Sequence, residues 1–447
     1  MENGAVIAAK DKKSYPARCR RATHTAADIG DAGVAVVCLH GRIAEFDGKQ
    51  GKLYDHCGVV NFTLASEAPN VGAGDIVEVV GYNTGFGLRV AEINRLVPVE
   101  QVPWMGGKWT DYRCGKKKQK HNLVLRAEVI KKIRTFFECK DFIEIDTPTL
   151  VRAAGQDKHI QLFETVFATR HDRVPYLLIT SPEHHMKCLL GDGWDRIYQI
   201  CRCFRNGERA EMHNPEFTMV EWYRSYADYR DIMEDTEALV AHTVLEVTGD
   251  MKVKYGGISI DLTPPWKRLG LRQAFAEFAG LCIDEWADEE AFVRGAHKLN
   301  IPSISSRDTW EDIFYKLLVE KIEPALVPMG PVFLLDYPAK MAALAKLKEG
   351  ESGVAERVEL YIGGVELANG FTELNDPLEQ RRRFLEEQEG RRKANYPVHP
   401  LDEEFLCALE RGMPPAAGIA LGVDRLVMLL AGAKTLGEVM AFPFAEA

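Results

Sequence analysis

The chain has 447 residues, 56 Lys+Arg against 66 Asp+Glu for a net charge of −10, and 46% hydrophobic residues, enough to bury a large core in two or three domains. No apolar run reaches the roughly 18–20 residues of a membrane span, no apolar leader follows a basic start, and the acidic balance is unsuited to coating duplex DNA, so no membrane or DNA partner is expected. The ten cysteines are scattered without a C-x-x-C pair and read as reduced thiols in a cytoplasmic protein, with no zinc knuckle or dithiol motif.

Residues 1–30 are polar and patternless, with a basic cluster at Arg18–Arg21, and read as a mobile arm. Residues 31–100 carry short β-like runs at Val34–Phe46, Lys52–Leu64, Ile76–Tyr82 and Leu88–Val97, punctuated by Asp47-Gly48 and Asp55–Gly58. This spacing suits a small OB-like β-barrel, or some other small β-domain. Tyr54, His56 and Phe62 are either bases' stacking partners or ordinary barrel residues, the latter being favoured. Residues 101–121 read as a linker, with Pro103, Gly106-Gly107 and the run Lys116–Lys118; the run is a solvated face or a contact for a phosphate backbone or an acidic protein.

Residues 122–447 read as an α+β domain. Asn122 is positioned to cap a helix with apolar positions Leu123, Ala127, Ile130, Ile133 and Phe137. A short strand follows at Phe142–Ile145, closed by Pro148. Residues 225–350 read as mostly helical connection, strands return at 354–374, and a strand-to-helix unit covers 418–431. The adjacent His184-His185 pair cannot share a helix face as a metal pair would, which leaves packing or pocket roles.

Three stretches carry candidate chemistry. Arg196–Arg224 reads as two strands joined by a loop. Alternation puts Gln199, Cys201, Cys203 and Arg205 on one face of the first strand and Phe217, Met219, Glu221 and Tyr223 on one face of the second. The loop adds Glu208, Arg209 and His213. Such a hairpin presents a guanidinium suited to phosphate, an aromatic plate suited to adenine, and a carboxylate beside a phenol suited to an ammonium group. The plainer reading is an amphipathic hairpin with a polar outer face. The second stretch runs from Glu359 to Glu366, with Gly363-Gly364 as a two-residue hairpin turn. If Ile362 faces Val365, then Tyr361 faces Glu366 and Glu359 faces Ala368, and the two acids lie about 7–8 Å apart diagonally on one face. Converging carboxylates repel unless a cation sits between them, and Mg²⁺ accepts such ligands together with nucleotide phosphates. Asn369 and Glu373 follow on the same hairpin. The third stretch, Gly418–Leu426, reads as a strand entering a helix, with Arg425 at the helix start and glycines at 418 and 422 permitting close approach.

Taken in order, these stretches resemble the class II aminoacyl-tRNA synthetases of the lysyl branch, over residues 34–444. The helix with Phe142–Pro148 is similar to that family's first motif, Arg196–Arg224 (FRN…HNPEFTMVEWY) to the second, and Gly418–Leu426 to the third. The resemblance implies an antiparallel sheet with flanking helices, a homodimer, and ATP and Mg²⁺ as cofactors. It implies that Arg205 binds the α-phosphate and the substrate carboxylate, and that Phe217 and Arg425 sandwich the adenine, the two arginines being the catalytic pair. Asn206, Glu208, His213, Asn214, Leu360 and Gly422 would complete the ATP site, and Glu359 and Glu366 would hold the metal. Glu183 would take a substrate amino group, Glu221, Tyr223 and Glu373 the ε-ammonium of a lysine, and Asn369 its carboxylate.

The strings TSPEHHMK (180–187), HNPEFTMVEWYR (213–224), VAERVELY (354–361), ELANGF (366–371) and ALGVDRLVML (420–429) are closer to the paralogous branch that ligates (R)-β-lysine to elongation factor P. Ser181, Ala368 and Ala420 stand where lysyl-tRNA synthetases tend to carry Ala, Gly and Gly. One added carbon suits a shifted amino group, although a single methylene discriminates by only about 1–3 kcal/mol. The resemblance thus leaves three expectations: a lysine side chain of elongation factor P as acceptor, lysine tRNA as acceptor, or a non-catalytic paralogue serving as a binding module. Two features depart from the paralogue: Gly207 replaces a glutamate of its FRNE string, and the N-terminal barrel is an addition.

Overall fold

The computed structural model describes residues 19–444 except 31–34, 56, 67–69, 100–118, 156, 158–159, 284–287 and 352. Two compact units form, Met1–Lys120 and His121–Ala447. The lysine run 116–118, His56 and Arg18 lie outside the described residues.

In the first unit five strands close a barrel: β1 (Val36–Phe46), β2 (Gln50–Tyr54), β3 (Val59–Leu64), β4 (Ile76–Asn83) and β5 (Leu88–Val97), in the order β1-β2-β3-β5-β4. Each turn has a local cause. The Asp47 carboxylate accepts the Lys49 and Gln50 N–H groups, and that of Asp55 accepts Cys57 and Gly58, so the single run read over Lys52–Leu64 divides into two strands. Val37, Leu39, Leu53, Val77 and Val79 fill the interior. Phe62 joins them, 2% exposed and stacked on Phe46, so it is a barrel residue. The described part of the supposed mobile arm is packed: the Thr23 N–H donates to the Cys38 carbonyl, the Arg20 N–H to Glu78, and Ala26 is buried in the barrel cluster.

The second unit is built on an eight-stranded, mostly antiparallel sheet, as the α+β reading anticipates. Helix α1 (Gln119–Glu138) leads to β6 (Ile143–Glu144), and a small separate sheet holds β7 (Leu150–Val151), β8 (Glu164–Ala168) and β9 (Arg173–Leu178). Then come α2 (Glu183–Gly191), β10 (Arg196–Phe204), β11 (Glu216–Ser225), α3 (Tyr229–Thr248), the hairpin β12 (Lys252–Tyr255) and β13 (Ile258–Asp261), and β14 (Lys267–Gly270). After α4 (Glu289–Lys298) and α5 (Trp310–Leu317), the strands β15 (Pro331–Pro338), β16 (Val354–Ile362) and β17 (Val365–Thr372) follow. The chain closes with α6 (Pro377–Lys393), α7 (Glu403–Gly412), β18 (Ala416–Gly422) and α8 (Val423–Ala431). The sheet order is β14-β15-β16-β17-β18-β11-β10-β6. Its core face packs Val220, Trp222, Leu360, Ile419 and Leu421 against α1, α3 and α8.

Three expectations are corrected here. Asn122 is no cap: it lies inside α1, buried, and its side-chain amide donates to the Glu438 carbonyl. The buried face of α1 is Asn122, Val129, Ile133, Phe136 and Phe137, while Ala127 is exposed, because polar Asn122 and Arg126 occupy inward positions and disguise the apolar period. The segment read as helical connection also supplies β14 and β15 to the main sheet.

Candidate active site

On the face of the sheet opposite that core, a cavity of about 410 Å³ opens over β11, β17 and β18. Period-two alternation explains its floor. On β11 the even positions Val220 and Trp222 pack in the core, while Phe217, Met219, Glu221 and Tyr223 line the cavity. The β10–β11 register pairs Cys203 with Phe217 and Gln199 with Glu221, as the alternation requires. Arg205 leaves the end of β10 with its guanidinium 5.2 Å from the Phe217 ring centre. Gly207 has a φ of +80°, a left-handed turn that glycine adopts freely, and the next residue, Glu208, faces Arg205 at 3.9 Å. Glu208 therefore occupies the cavity rim despite the glycine before it.

The hairpin of β16 and β17 turns at Gly363 and Gly364, both with positive φ (59° and 80°), as its two-residue turn demands. Ile362 pairs with Val365 and Tyr361 with Glu366, but a bulge follows. Glu359 consequently pairs with Asn369 and not with Ala368. The inserted residue has a useful result: it turns Asn369, Phe371 and Glu373 onto the cavity side with Glu366. Ala368 pairs with Leu360 and Leu421, packs in the core cluster, and also lines the cavity.

Arg425 begins α8. Its guanidinium donates to the Glu366 carbonyl at 2.6 Å, lies 3.4 Å from the Glu366 carboxylate, and meets His213 Nε2 at 3.1 Å. Burial and then the neighbouring Arg425 charge hold His213 below the ordinary histidine value, so it faces Arg425 as a neutral ring. The first turn of α8 is fixed by Asp424, which accepts the Thr218 N–H at 2.7 Å and pairs with Arg126 of α1 at 2.9 Å. This clamp joins the beginning of α8 to the strand that bears Phe217.

Deeper in the cavity lies a carboxylate cage. Tyr223 donates its hydroxyl hydrogen bond to Glu221 at 2.5 Å. Burial, then the nearby Glu183 charge, pushes Glu221 up to about 8, with Tyr223, Lys187 and Ser181 opposing. Burial likewise pushes Glu373 up to about 8, with Lys187 opposing. Lys187 of α2 is fully buried, 2.5 Å from Glu183 and in contact with Glu373. Gly418 makes the cage possible: its missing Cβ leaves room for the Tyr223 ring and the Glu373 carboxylate. Ser181 accepts the Glu183 N–H, and Ala420 pairs with both Glu221 and Asn369.

Sixteen of the nineteen site residues singled out above line the cavity, and the three exceptions are informative. Arg205, Glu208, His213, Asn214, Phe217, Gly422 and Arg425 line one end of the cavity, and Ser181, Glu183, Glu221, Tyr223, Glu366, Ala368, Asn369, Glu373 and Ala420 line the rest. Asn206 does not line it; its backbone N–H donates to the Gln161 carbonyl and its side chain points to the Leu162 carbonyl. Leu360 is also displaced, because its strand face is the core face. Glu359 sits just behind the cavity wall, where Arg357 holds it at 2.7 Å and the Tyr361 hydroxyl donates to it at 2.9 Å. Burial, then the opposing Arg357, then Glu366 act on Glu359, with a net upward shift. Glu323 is pushed up by burial and by Glu366 and Glu359. Glu359, Glu366 and Glu323 repel one another and are oxygen donors of the chemistry Mg²⁺ takes, but their oxygens do not gather within 4.8 Å of one another.

Sequence reasoning missed Lys187, Arg126, Glu323 and Arg357. Arg357 is two residues before Glu359 on one strand face, so alternation would have found it. Lys187 stands four residues after Glu183 on one helix, a pairing that helix periodicity offers, whereas Arg126 and Glu323 have no local signal.

The family described as tRNA synthetases class II (D, K and N) matches residues 108–446. A lysine–tRNA ligase of Carboxydothermus hydrogenoformans is 39% identical over 327 residues, 72% of this chain and 65% of that protein. An elongation factor P–(R)-beta-lysine ligase of Hamiltonella defensa is 41% identical over 330 residues, 73% of this chain and 96% of that protein. A lysine–tRNA ligase of Thermoanaerobacter pseudethanolicus is 35% identical over 443 residues, 91% of this chain and 86% of that protein. Against the lysine–tRNA ligases of C. hydrogenoformans and Thermosynechococcus vestitus, the chain spans 65% and 62% of the relative's length.

Proposed function

Because the chain belongs to the class II tRNA synthetases of the D, K and N group, we propose that it activates (R)-β-lysine, or lysine, with ATP and transfers the acyl group to a lysine side chain of elongation factor P. The observation that carries this reading is one cavity with two chemically distinct ends. Arg205, Phe217 and Arg425 offer cations and an aromatic plate to a nucleotide, and Glu183, Glu221, Tyr223 and Glu373 offer acids to amino groups.

In the first step a substrate carboxylate oxygen bonds to the α-phosphorus while the bond from that phosphorus to pyrophosphate breaks. No protein nucleophile is needed; the chain positions the two reactants and offsets charge. In this reading Arg205, at the nucleotide end, turns its fork to both the substrate carboxylate and the α-phosphate. Phe217 and Arg425 hold the adenine, and Asn369 offers its amide to the substrate carboxylate. Glu359 and Glu366, with Glu323 behind them, would hold Mg²⁺, which when bound neutralises phosphate charge. In the second step the acceptor amine bonds to the acyl carbon and AMP leaves.

The β-amino preference rests on Ser181, Ala368 and Ala420. Ala420 lies between Glu221 and Asn369, beside the groups that would take an amine and a carboxylate. Ala420→Gly should move selectivity toward α-lysine; an unchanged ratio of the two isomers in pyrophosphate exchange would remove this argument. A second reading, charging of lysine tRNA, is favoured by the closed N-terminal barrel and by the alignment with the T. pseudethanolicus ligase, which takes in 91% of the chain. A homodimer belongs to either reading. Ile143 on edge strand β6 and Phe167 on β8 are exposed apolar side chains that a second copy would cover, and sedimentation reads the mass.

The test is to supply ATP, each lysine isomer, and either elongation factor P or lysine tRNA. Acylation of elongation factor P supports the proposal, and acylation of tRNA alone overturns it. Absence of pyrophosphate exchange with either isomer would favour a non-catalytic binding module.

A further inference from the structure

The cage that is proposed to receive the substrate's amino groups already holds an ammonium group of the protein's own. Lys187 has a fully buried side chain, rises from the second turn of α2, and reaches two carboxylates of different origin: Glu183 on its own helix at 2.5 Å and Glu373 just beyond β17. The rings of Phe371 and Phe405 lie 5.1 Å and 6.0 Å from its nitrogen and exclude water around it. A third carboxylate, Glu221, faces the same group from β11, and its Oε2 has no hydrogen-bond partner among the described residues.

We propose that Lys187 is a resident counter-ion that sets the charge of the amine pocket and so makes it specific for a substrate with two ammonium groups. The inference rests on the functional reading above and deepens it. Three ionised carboxylates with one fixed ammonium present two negative charges. A diamino monocarboxylic acid brings two ammonium groups to them, and its carboxylate goes to Arg205 and Asn369 at the other end. Without Lys187 the pocket would hold three acids against two cations, and one acid would have to stay protonated. Burial already favours the neutral forms of Glu221 and Glu373, and Lys187 opposes that on both. The charged groups that act on this nitrogen are Glu183 from its own helix, Glu373 from β17's end, and Glu221 from β11.

The test is Lys187→Met, which keeps most of the volume and removes the charge. Pyrophosphate exchange is measured against amino-acid concentration from pH 6.5 to 9.5 for the wild type and the variant. The KM for the diamino acid should rise about tenfold at neutral pH, with kcat changed less than about threefold, and its fall with rising pH should move to higher pH by about one unit. The unliganded protein gives a second readout. Its melting temperature should fall more steeply between pH 7 and 9 in the variant, because acids with further raised values lose stability as pH climbs toward those values. Should Lys187→Met fold poorly, Lys187→Met with Glu373→Gln restores the two-charge balance and should recover both stability and part of the lost affinity. A KM raised equally at every pH, with no recovery in the double variant, means that Lys187 only fills space and overturns the proposal. Exchange by the wild type with either lysine isomer is the separate control for the functional reading itself.

Discussion

Gly418→Ala offers a sharp test of how the amine end of the cavity is packed. Gly418 lies on β18 between Tyr223 and Phe371. A Cβ there would sit 2.3 Å and 2.4 Å from two carbons of the Tyr223 ring and 2.8 Å from Oε1 of Glu373. Carbon atoms pack at about 3.5–4.0 Å, so the ring must retreat by roughly 1 Å. It has nowhere easy to go, being 2% exposed and tied to Glu221 by its hydroxyl. Overpacking of this kind costs about 1–3 kcal/mol, and loss of the Tyr223–Glu221 hydrogen bond in a buried site adds about 1–3 kcal/mol. At about 2 cal/mol/K per residue, a unit of about 330 residues has an unfolding entropy of about 0.7 kcal/mol/K. The melting temperature of that unit should therefore fall by about 3–8 °C in calorimetry. Pyrophosphate exchange should show an amino-acid KM raised about tenfold and an ATP KM within about twofold of wild type, since Arg205, Phe217 and Arg425 line the other end. A melting temperature within about 1 °C of wild type, together with an unchanged amino-acid KM, would refute the packing argument.

Arg126→Met should destabilise by about 3–5 kcal/mol, because it leaves the Asp424 carboxylate buried without its cation; Asp424→Asn in the same chain should recover part of that loss in calorimetry. Substrate binding should release protons at pH 7. Glu221 and Glu373, pushed up to about 8, are largely protonated in the empty cavity and must ionise to take ammonium groups. Calorimetric titration in buffers of different ionisation enthalpy reads this release, which should vanish by pH 9.5; no release at pH 7 would show that these acids are ionised before binding. Glu366→Gln should lower pyrophosphate exchange about a hundredfold or more while leaving the melting temperature within about 2 °C, the side chain being 41% exposed. Exchange near the wild-type rate would remove Glu366 from the metal site.

Much of the site was legible because β-strands enforce a period of two. Alternation alone put Phe217, Glu221 and Tyr223 on one face, and the paired glycines 363 and 364 fixed where the second hairpin turns. The same reasoning failed at Glu359, because the β16–β17 bulge shifts the register by one residue and no residue type announces it. It failed again along α1. Asn122 and Arg126 are polar yet point inward, since their partners, the Glu438 carbonyl and Asp424, come from the far end of the chain.

The amino-acid sequence by itself determined the barrel's turns, the β10–β11 hairpin, and the three stretches that carry guanidinium, aromatic and carboxylate groups. These depend on neighbours in the chain, where backbone sterics and side-chain alternation act over a few residues. Only the tertiary structure decided that Lys187 enters the cage of Glu183 and Glu373, that Arg126 clamps Asp424, and that Leu360 turns away from the cavity. Leu360 turns away because its face of β16 is the core face. For Lys187–Glu373 and Arg126–Asp424 the physical reason is that a buried charge takes a partner wherever packing supplies one, and that partner's distance along the chain leaves no trace in the local pattern.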